Sequence, residues 1–324
     1  MPVKQVFIPH LGRHVKLGRK PPVAHGFRVQ FGNYLRRKDL PPPPGNVNYS
    51  TGSAAPAIAQ MYLNDQLGDC VIAGGYHIIG METGDANGQP FIASDQQITA
   101  DYSAIGGYVP GNPATDNGAN LTDAMNYWTQ KGFADGSKLV GWCAVDPSNQ
   151  MESMQAAYLL ENLYIGGALP DSWLNNATPG AVWDVDTPDP NNGHCVAIVG
   201  YSSQGVLVST WGMVVTMTWA AYASFCSPAN NGESYVLLSP DQISAGTQKA
   251  PNGIDWNTLV ADFQALGGGA NPPPLPPAPP APPGPPTPPA PPAPPAGVTL
   301  DQAIAWSTQG LADNWPSAQG KKKP

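Results

Sequence analysis

Apolar positions group into two kinds of period along this chain. Between Cys70 and Met81 the residues Val71, Ile72, Ile78, Ile79 and Met81 surround small Ala73, Gly74 and Gly75. That pattern predicts a buried helix whose backbone is approached closely, held by packing because adjacent glycines cost helix propensity. Ser94-Asp95-Gln96-Gln97-Ile98 has the character of a helix start. A further helix is predicted over 119–131, with Leu121, Ala124, Met125 and Trp128 on one face and Gly132 at its end, and another over 151–163. After Gly166-Gly167 the period changes. Runs 194–200, 205–211 and 234–238 are short, apolar or β-branched and set between turns, as strands are. Helices first and strands later predict an α+β body with a helical half, a sheet half and a cleft between them.

Proline and charge divide the rest. Pro41-Pro42-Pro43-Pro44-Gly45 closes an N-terminal arm (1–45) and the body follows (46–270). From 272 to 296 there are 17 prolines in 25 residues, so 271–297 reads as a polyproline spacer of roughly 80 Å. Beyond it, 298–324 holds a short helix start at Thr299-Leu300-Asp301 and a Lys321-Lys322-Lys323 tail, too short to fold alone. Spacer and helix are the parts that offer a docking place to a protein partner.

Nine of the 15 Lys and Arg residues (Lys4, Arg13, Lys16, Arg19, Lys20, Arg28, Arg36, Arg37 and Lys38) lie between positions 4 and 38, whereas all 23 acids lie from Asp39 onward. A basic arm facing an acidic body is expected to pack on that body. No recognition helix, zinc spacing or aromatic-basic interleaving accompanies the charges, which argues against nucleic acid. No stretch reaches the roughly 18 apolar residues of a membrane span, and residues 1–20 lack the apolar centre of a signal peptide. A surface poor in Lys and Arg but rich in Asn, Ser and Thr suits an extracellular or particle-associated protein as well as a cytosolic one, so location stays open. The four cysteines, at 70, 143, 195 and 226, match no compact zinc pattern, and one disulfide, Cys143 with Cys226, stays open. No cofactor or metal is called for.

The chemistry concentrates at two places. Gly68 permits a tight turn, Asp69 is suited to capping, and Cys70 then falls in the first helical turn, where free amides and the dipole favour thiolate. Those amides can also donate to an oxyanion, with Gln66 or Asn64 supplying a second, side-chain donor. His194, between Gly193 and the apolar run Cys195-Val196-Ala197-Ile198-Val199, stands at a strand start. A base there needs a third group to hold its tautomer: Ser209, beside Thr210, or one of Asp184, Asp186 and Asp189. Trp211-Gly212 is placed to roof that group.

Five patches, in order, resemble the papain-like cysteine peptidases over about residues 50–240. Gly68-Asp69-Cys70 resembles the family's Gly-Ser-Cys, and the stretch from Ser94 to Asp101 is similar to its Leu-Ser-Glu-Gln region. Asn117-Gly118 resembles Asn-Gly-Gly, Gly193-His194-Cys195-Val196 resembles Gly-His-Ala-Val, and Val208-Ser209-Thr210-Trp211-Gly212 resembles Lys-Asn-Ser-Trp-Gly. The resemblance implies a two-lobed fold and peptide or protein substrates. It implies that Cys70 attacks the amide, His194 transfers the proton, Ser209 stands at the orienting asparagine and backbone near Gly118 pairs with extended substrate. Asn64 occupies the place of the oxyanion glutamine, six before Cys70; Gln66 serves only in a shortened loop. It also gives the arm the part of a propeptide. The departures at Ser209, and at Val71 and Leu67 where the family has tryptophan and cysteine, leave a second reading: a weak or inactive module of the same fold with a structural or partner-binding role. Other thiol acyl chemistry, transglutaminase-like transfer or amidase action, is a third.

Overall fold

The computed structural model describes residues 3–23, 29–35, 42–243 and 256–265. The spacer and terminal segment predicted over 271–324 lie outside the described residues. The fold is mixed α+β. Ten strands form among the described residues: β1 (Lys4–Ile8), β2 (Arg13–Leu17), β3 (Val47–Asn48), β4 (Gly141–Ala144), β5 (Leu163–Ala168), β6 (Val182–Trp183), β7 (Gly193–Tyr201), β8 (Gly205–Thr210), β9 (Met213–Thr218) and β10 (Glu233–Leu238). β1 and β2 pair as an antiparallel hairpin, and the other eight make one sheet in the order β4-β10-β5-β7-β8-β9-β6, with β3 added to β7. Neighbours in the large sheet are antiparallel except β6 on β9.

β7 is the strand on which the two halves meet. Residues 194–201 are all buried, and they alternate between two apolar clusters. Val196 and Ile198 join the cluster built from β5, β8, β9 and the helix Trp219–Phe225, whereas Cys195, Ala197 and Val199 join the cluster around the helix Cys70–Asn87. A strand covered on both faces reads as a continuous apolar run, which is why its sequence shows no alternation. The close approach predicted at Gly74 and Gly75 is to the rings of Tyr164 and Phe133.

The helix starting at Cys70 extends to Asn87, past the predicted Met81, and ends on Gly88 in the left-handed conformation. Ser94 and Gln97 form a reciprocal capping box at the start of the helix Asp95–Gly106. The predicted 119–131 helix runs Leu121–Gln130. The predicted 151–163 helix stops at Leu159, and its last residues instead enter β5, a strand the sequence pattern hid because Leu163–Ala168 is buried throughout. Strands also precede the helices, in the β1–β2 hairpin.

The arm is part of the packed body. Ile8, Val15 and Leu17 are buried in the same cluster as β5 and β7. Among the described residues its cations meet acids of the body in four pairs: Lys4 with Asp189 (2.9 Å), Arg13 with Asp65 (3.0 Å), Lys16 with Asp116 (2.6 Å) and Arg19 with Glu233 (2.6 Å). All four cysteines are free and buried, so the Cys143–Cys226 bridge is not formed. Cys143 stands on edge strand β4, while Cys226 ends the helix that packs over β5, β8 and β9. No helix among the described residues is long and apolar enough to cross a membrane. No cluster of three or more His, Cys, Asp or Glu among them could hold a metal ion.

Candidate active site

Cys70 opens its helix and His194 opens β7's buried run, and both line one small pocket with Asn64, Ser209, Thr210 and Trp211. The geometry around the imidazole is specific. Its Nε2 lies 2.9 Å from Thr210 Oγ1, and its Nδ1 is buried without a hydrogen-bond partner among the described residues. The ring stacks on Trp211 at a centroid distance of 4.7 Å and 24° between planes. Trp211 thus roofs the histidine, and its Nε1 donates to Asn64 Oδ1 at 2.9 Å. With Oδ1 engaged, the Asn64 amide turns its Nδ2 donor toward Asp69 Oδ1 (3.2 Å) and the carbonyl of Lys16 (3.1 Å).

Several expectations need correction. The hydroxyl that meets His194 is that of Thr210, not Ser209, whose Oγ is buried with no partner among the described residues. Neighbouring strand residues point to opposite faces, so choosing one hydroxyl rejects the other. Asp184, Asp186 and Asp189 are engaged elsewhere, by Thr218, Ser172 and Lys4. Asp69 occupies the N-cap position but makes no side-chain cap bond; its buried carboxyl faces Asn64, and burial pushes it well above the usual carboxylate range. Gln66 is exposed and outside the pocket, whereas Asn64 is buried within it. Gly118 spends its N–H on the Tyr102 hydroxyl (2.8 Å), and the backbone groups that face the cleft are those of Ala119.

What faces Ala119 is the arm. Ala119 N–H donates to the Gly18 carbonyl (3.0 Å) and Lys20 N–H donates to the Ala119 carbonyl (2.8 Å), a parallel bridge centred on Arg19. Arg19 N–H donates to the carbonyl of Gly193, the residue before His194 (3.1 Å). The arm therefore lies across the Cys70 cleft, held by backbone on both of its walls. Only glycine fits where it passes: a Cβ on Gly18 would fall 1.9 Å from the Gly68 carbonyl oxygen, and one on Gly118 would fall 1.7 Å from that of Gly18. A cavity of about 390 Å³ runs beside it, bounded by Lys4, Lys20, Ala168 and Asn191.

Burial sets the protonation of the pair. Burial pushes the Cys70 thiol up to about 11, a rise that backbone contacts from Gly18 and Cys195 offset only partly. Burial pushes His194 down to about 3. The sequence predicted a thiolate favoured by the helix start; in the covered cleft the pair is neutral thiol and neutral imidazole, because excluding water penalises both charges.

No family model and no curated protein matches the chain. Among solved structures it is similar to xylellain, a cysteine protease from Xylella fastidiosa, at 15% identity over 68% of this chain and 95% of that one, with a TM-score of 0.49. It is similar to the proform of the ragweed pollen cysteine protease Amb a 11, at 13% identity over 65% of this chain and 75% of that one (TM-score 0.44). A third is digestive procathepsin L 3 of Tenebrio molitor, at 13% identity over 62% and 71% (TM-score 0.46).

Proposed function

We propose that this chain is a divergent papain-like cysteine peptidase whose cleft is closed by its own N-terminal arm. The observation that carries the reading is the shared pocket: a cysteine in a first helical turn, a histidine with one ring nitrogen bonded and the other free, and an indole-anchored amide beside them. The five motif patches in family order point the same way.

In the proposed reaction, His194 Nδ1 accepts the Cys70 thiol proton and the thiolate attacks the scissile carbonyl carbon. Negative charge on the carbonyl oxygen is met by the Cys70 N–H, which has no carbonyl ahead of it in the helix, and by the Asn64 Nδ2 hydrogen that the Lys16 carbonyl gives up when the arm leaves. Collapse breaks the C–N bond, with His194 returning the proton to the leaving amine. Water, deprotonated by His194, then hydrolyses the thioester and frees Cys70. Thr210 acts as the positioning residue, holding Nε2 so that Nδ1 serves as base; a hydroxyl both donates and accepts, so it accommodates the neutral ring and the imidazolium. The arm must leave first, because with it in place the thiol is neutral and a peptide has no backbone partner at Ala119.

The reading is tested by intact-mass labelling with iodoacetamide across pH 4 to 8, comparing wild type, Cys70→Ala and His194→Ala with and without a Gly18→Ala substitution that unseats the arm. Rapid labelling at Cys70 in the unseated protein, persisting at low pH and slowed by His194→Ala, is the expected result. Labelling that rises only toward an ordinary thiol pKa, whether or not His194 is present, favours the second reading, a binding module of the same fold. The hydroxyl in place of an asparagine beside His194 is the observation on that side.

A further inference from the structure

Arg19 is the most buried of the arm's ion-paired cations. Its side chain is 2% exposed and its partner Glu233 3%. Two guanidinium nitrogens converge on one carboxylate oxygen, Nη2 at 2.6 Å and Nε at 3.2 Å from Glu233 Oε1. Nη2 also donates to the Asn231 carbonyl at 2.7 Å, and the other carboxylate oxygen accepts from the Tyr235 hydroxyl at 2.9 Å. The chamber is built into the sheet. Glu233 on β10 stands directly opposite Gly166 on β5, and a Cβ at Gly166 would lie 2.7 Å from Arg19 Nε, so the missing side chain there is the space the guanidinium fills.

The body supplies every part of this chamber except the arginine. Its mouth is also the backbone rail of the cleft: Arg19 N–H is fixed by Gly193 and its neighbours by Ala119. When the arm departs, Glu233 is left at the floor of an open chamber, its charge without the guanidinium it was matched to. A buried carboxylate in that position strongly favours a cation over a neutral side chain. The fork geometry favours arginine over lysine, since three donors from one plane reach two acceptors, whereas an ammonium offers a single point.

We propose that the chamber holding Arg19 is the recognition pocket for the arginine side chain of a bound peptide, with Glu233 as its specificity-determining residue. The inference rests on the reading of the Cys70 cleft as a peptide-processing site, and it assigns that site a substrate class: extended peptides that place a guanidinium at the rail between Ala119 and Gly193. The arm's own Leu17-Gly18-Arg19-Lys20-Pro21 segment occupies the pocket as a tethered example of that class.

The test is a binding measurement, independent of turnover. Full-length protein carrying Gly18→Ala, which unseats the arm, and Cys70→Ala, which prevents cleavage, is titrated with labelled peptides of the 15–21 sequence. The residue at the position of Arg19 is arginine, lysine, or citrulline as a neutral isostere. The arginine peptide is expected to bind at least ~30-fold more tightly than the citrulline peptide, with lysine between them. Glu233→Gln should abolish that ratio and Glu233→Asp should keep part of it, each variant checked for folding by its thermal transition. Equal affinity for arginine and citrulline peptides in the Glu233 protein overturns the proposal, and that comparison needs no change at Glu233. An arginine preference in the binding measurement, combined with no activated Cys70 alkylation and no turnover in the Gly18→Ala protein that keeps Cys70, would sink the peptidase reading and leave the pocket; turnover of arginine-free peptides as fast as arginine peptides would do the reverse.

Discussion

His194 Nε2 meets Thr210 Oγ1 at 2.9 Å, while the hydroxyl of Ser209, one residue earlier on the same strand, meets nothing among the described residues. The two hydroxyls differ in which face of β8 they occupy, and only one belongs to the histidine. Thr210→Val in the arm-unseated protein is therefore expected to slow Cys70 alkylation about 10-fold and to shift its pH profile, because the ring loses the partner that fixes its tautomer. Ser209→Ala should change neither. Rates of modification by iodoacetamide between pH 5 and 9 check both, and equal effects of the two substitutions would remove Thr210 from its positioning role.

The arm is expected to control the thiol. With Cys70 held up to about 11, alkylation of wild type should stay slow at pH 7 and climb only in strongly alkaline solution. Gly18→Ala cannot seat against the Gly68 carbonyl, so water reaches the pair and the rate at pH 7 should rise by at least ~10-fold. No increase would mean that the arm does not govern access.

Asp116 is a junction between arm and site. One oxygen accepts from the Gly68 N–H (3.0 Å) and the Tyr102 hydroxyl (2.6 Å), the other from Lys16 (2.6 Å). Asp116→Asn keeps an acceptor but loses the charge. With Lys16 still partly exposed, the expected cost is about 1–3 kcal/mol, together with faster Cys70 alkylation. Chemical denaturation of Asp116→Asn, Lys16→Met and the double variant reads the pair directly: a coupling energy near zero would deny the junction.

Two glutamates should make stability depend on pH in the less common direction. Burial pushes Glu82 and Glu161 well above the usual range, with nearby acids adding to it, and both Glu161 oxygens are without a hydrogen bond among the described residues. A carboxyl whose folded pKa is raised contributes fully below its unfolded value near 4.5, and that contribution is lost as pH rises toward the folded value. Glu161→Gln is expected to raise the melting temperature at pH 8 and to leave it little changed at pH 4. A gain at pH 4 equal to that at pH 8 would contradict the assignment.

The candidate site was legible where one local pattern determined it. The Gly68 turn, the apolar run from Val71 and the glycine before His194 each identify a helix or strand start without reference to anything distant. What stayed hidden depends on partners far along the chain. Leu163–Ala168 carries no alternation because both its faces are covered, so it could not be told from the end of a helix. Thr210 rather than Ser209 is decided by strand facing, and Asn64 rather than Gln66 by an indole 147 residues away. Arg19 and Glu233 are 214 residues apart, and nothing near either signals the other. The arm's charge, read as general affinity for an acidic body, resolves into four individual pairs.

The fit of Gly18 against Gly68 makes the arm sensitive to length as well as to composition. Inserting or deleting a single residue between Lys16 and Arg19 would carry a side chain into the gap that tolerates none, and would draw Arg19 away from Glu233 or Lys16 from Asp116. The hairpin tip obeys no such rule, since nothing lies within 4 Å of a Cβ placed on Gly12. Related chains that share this closure should therefore vary freely in the number of residues at the Leu11–Gly12 turn and hold constant the count from Lys16 to Arg19, a pattern of insertions and deletions rather than of substitutions.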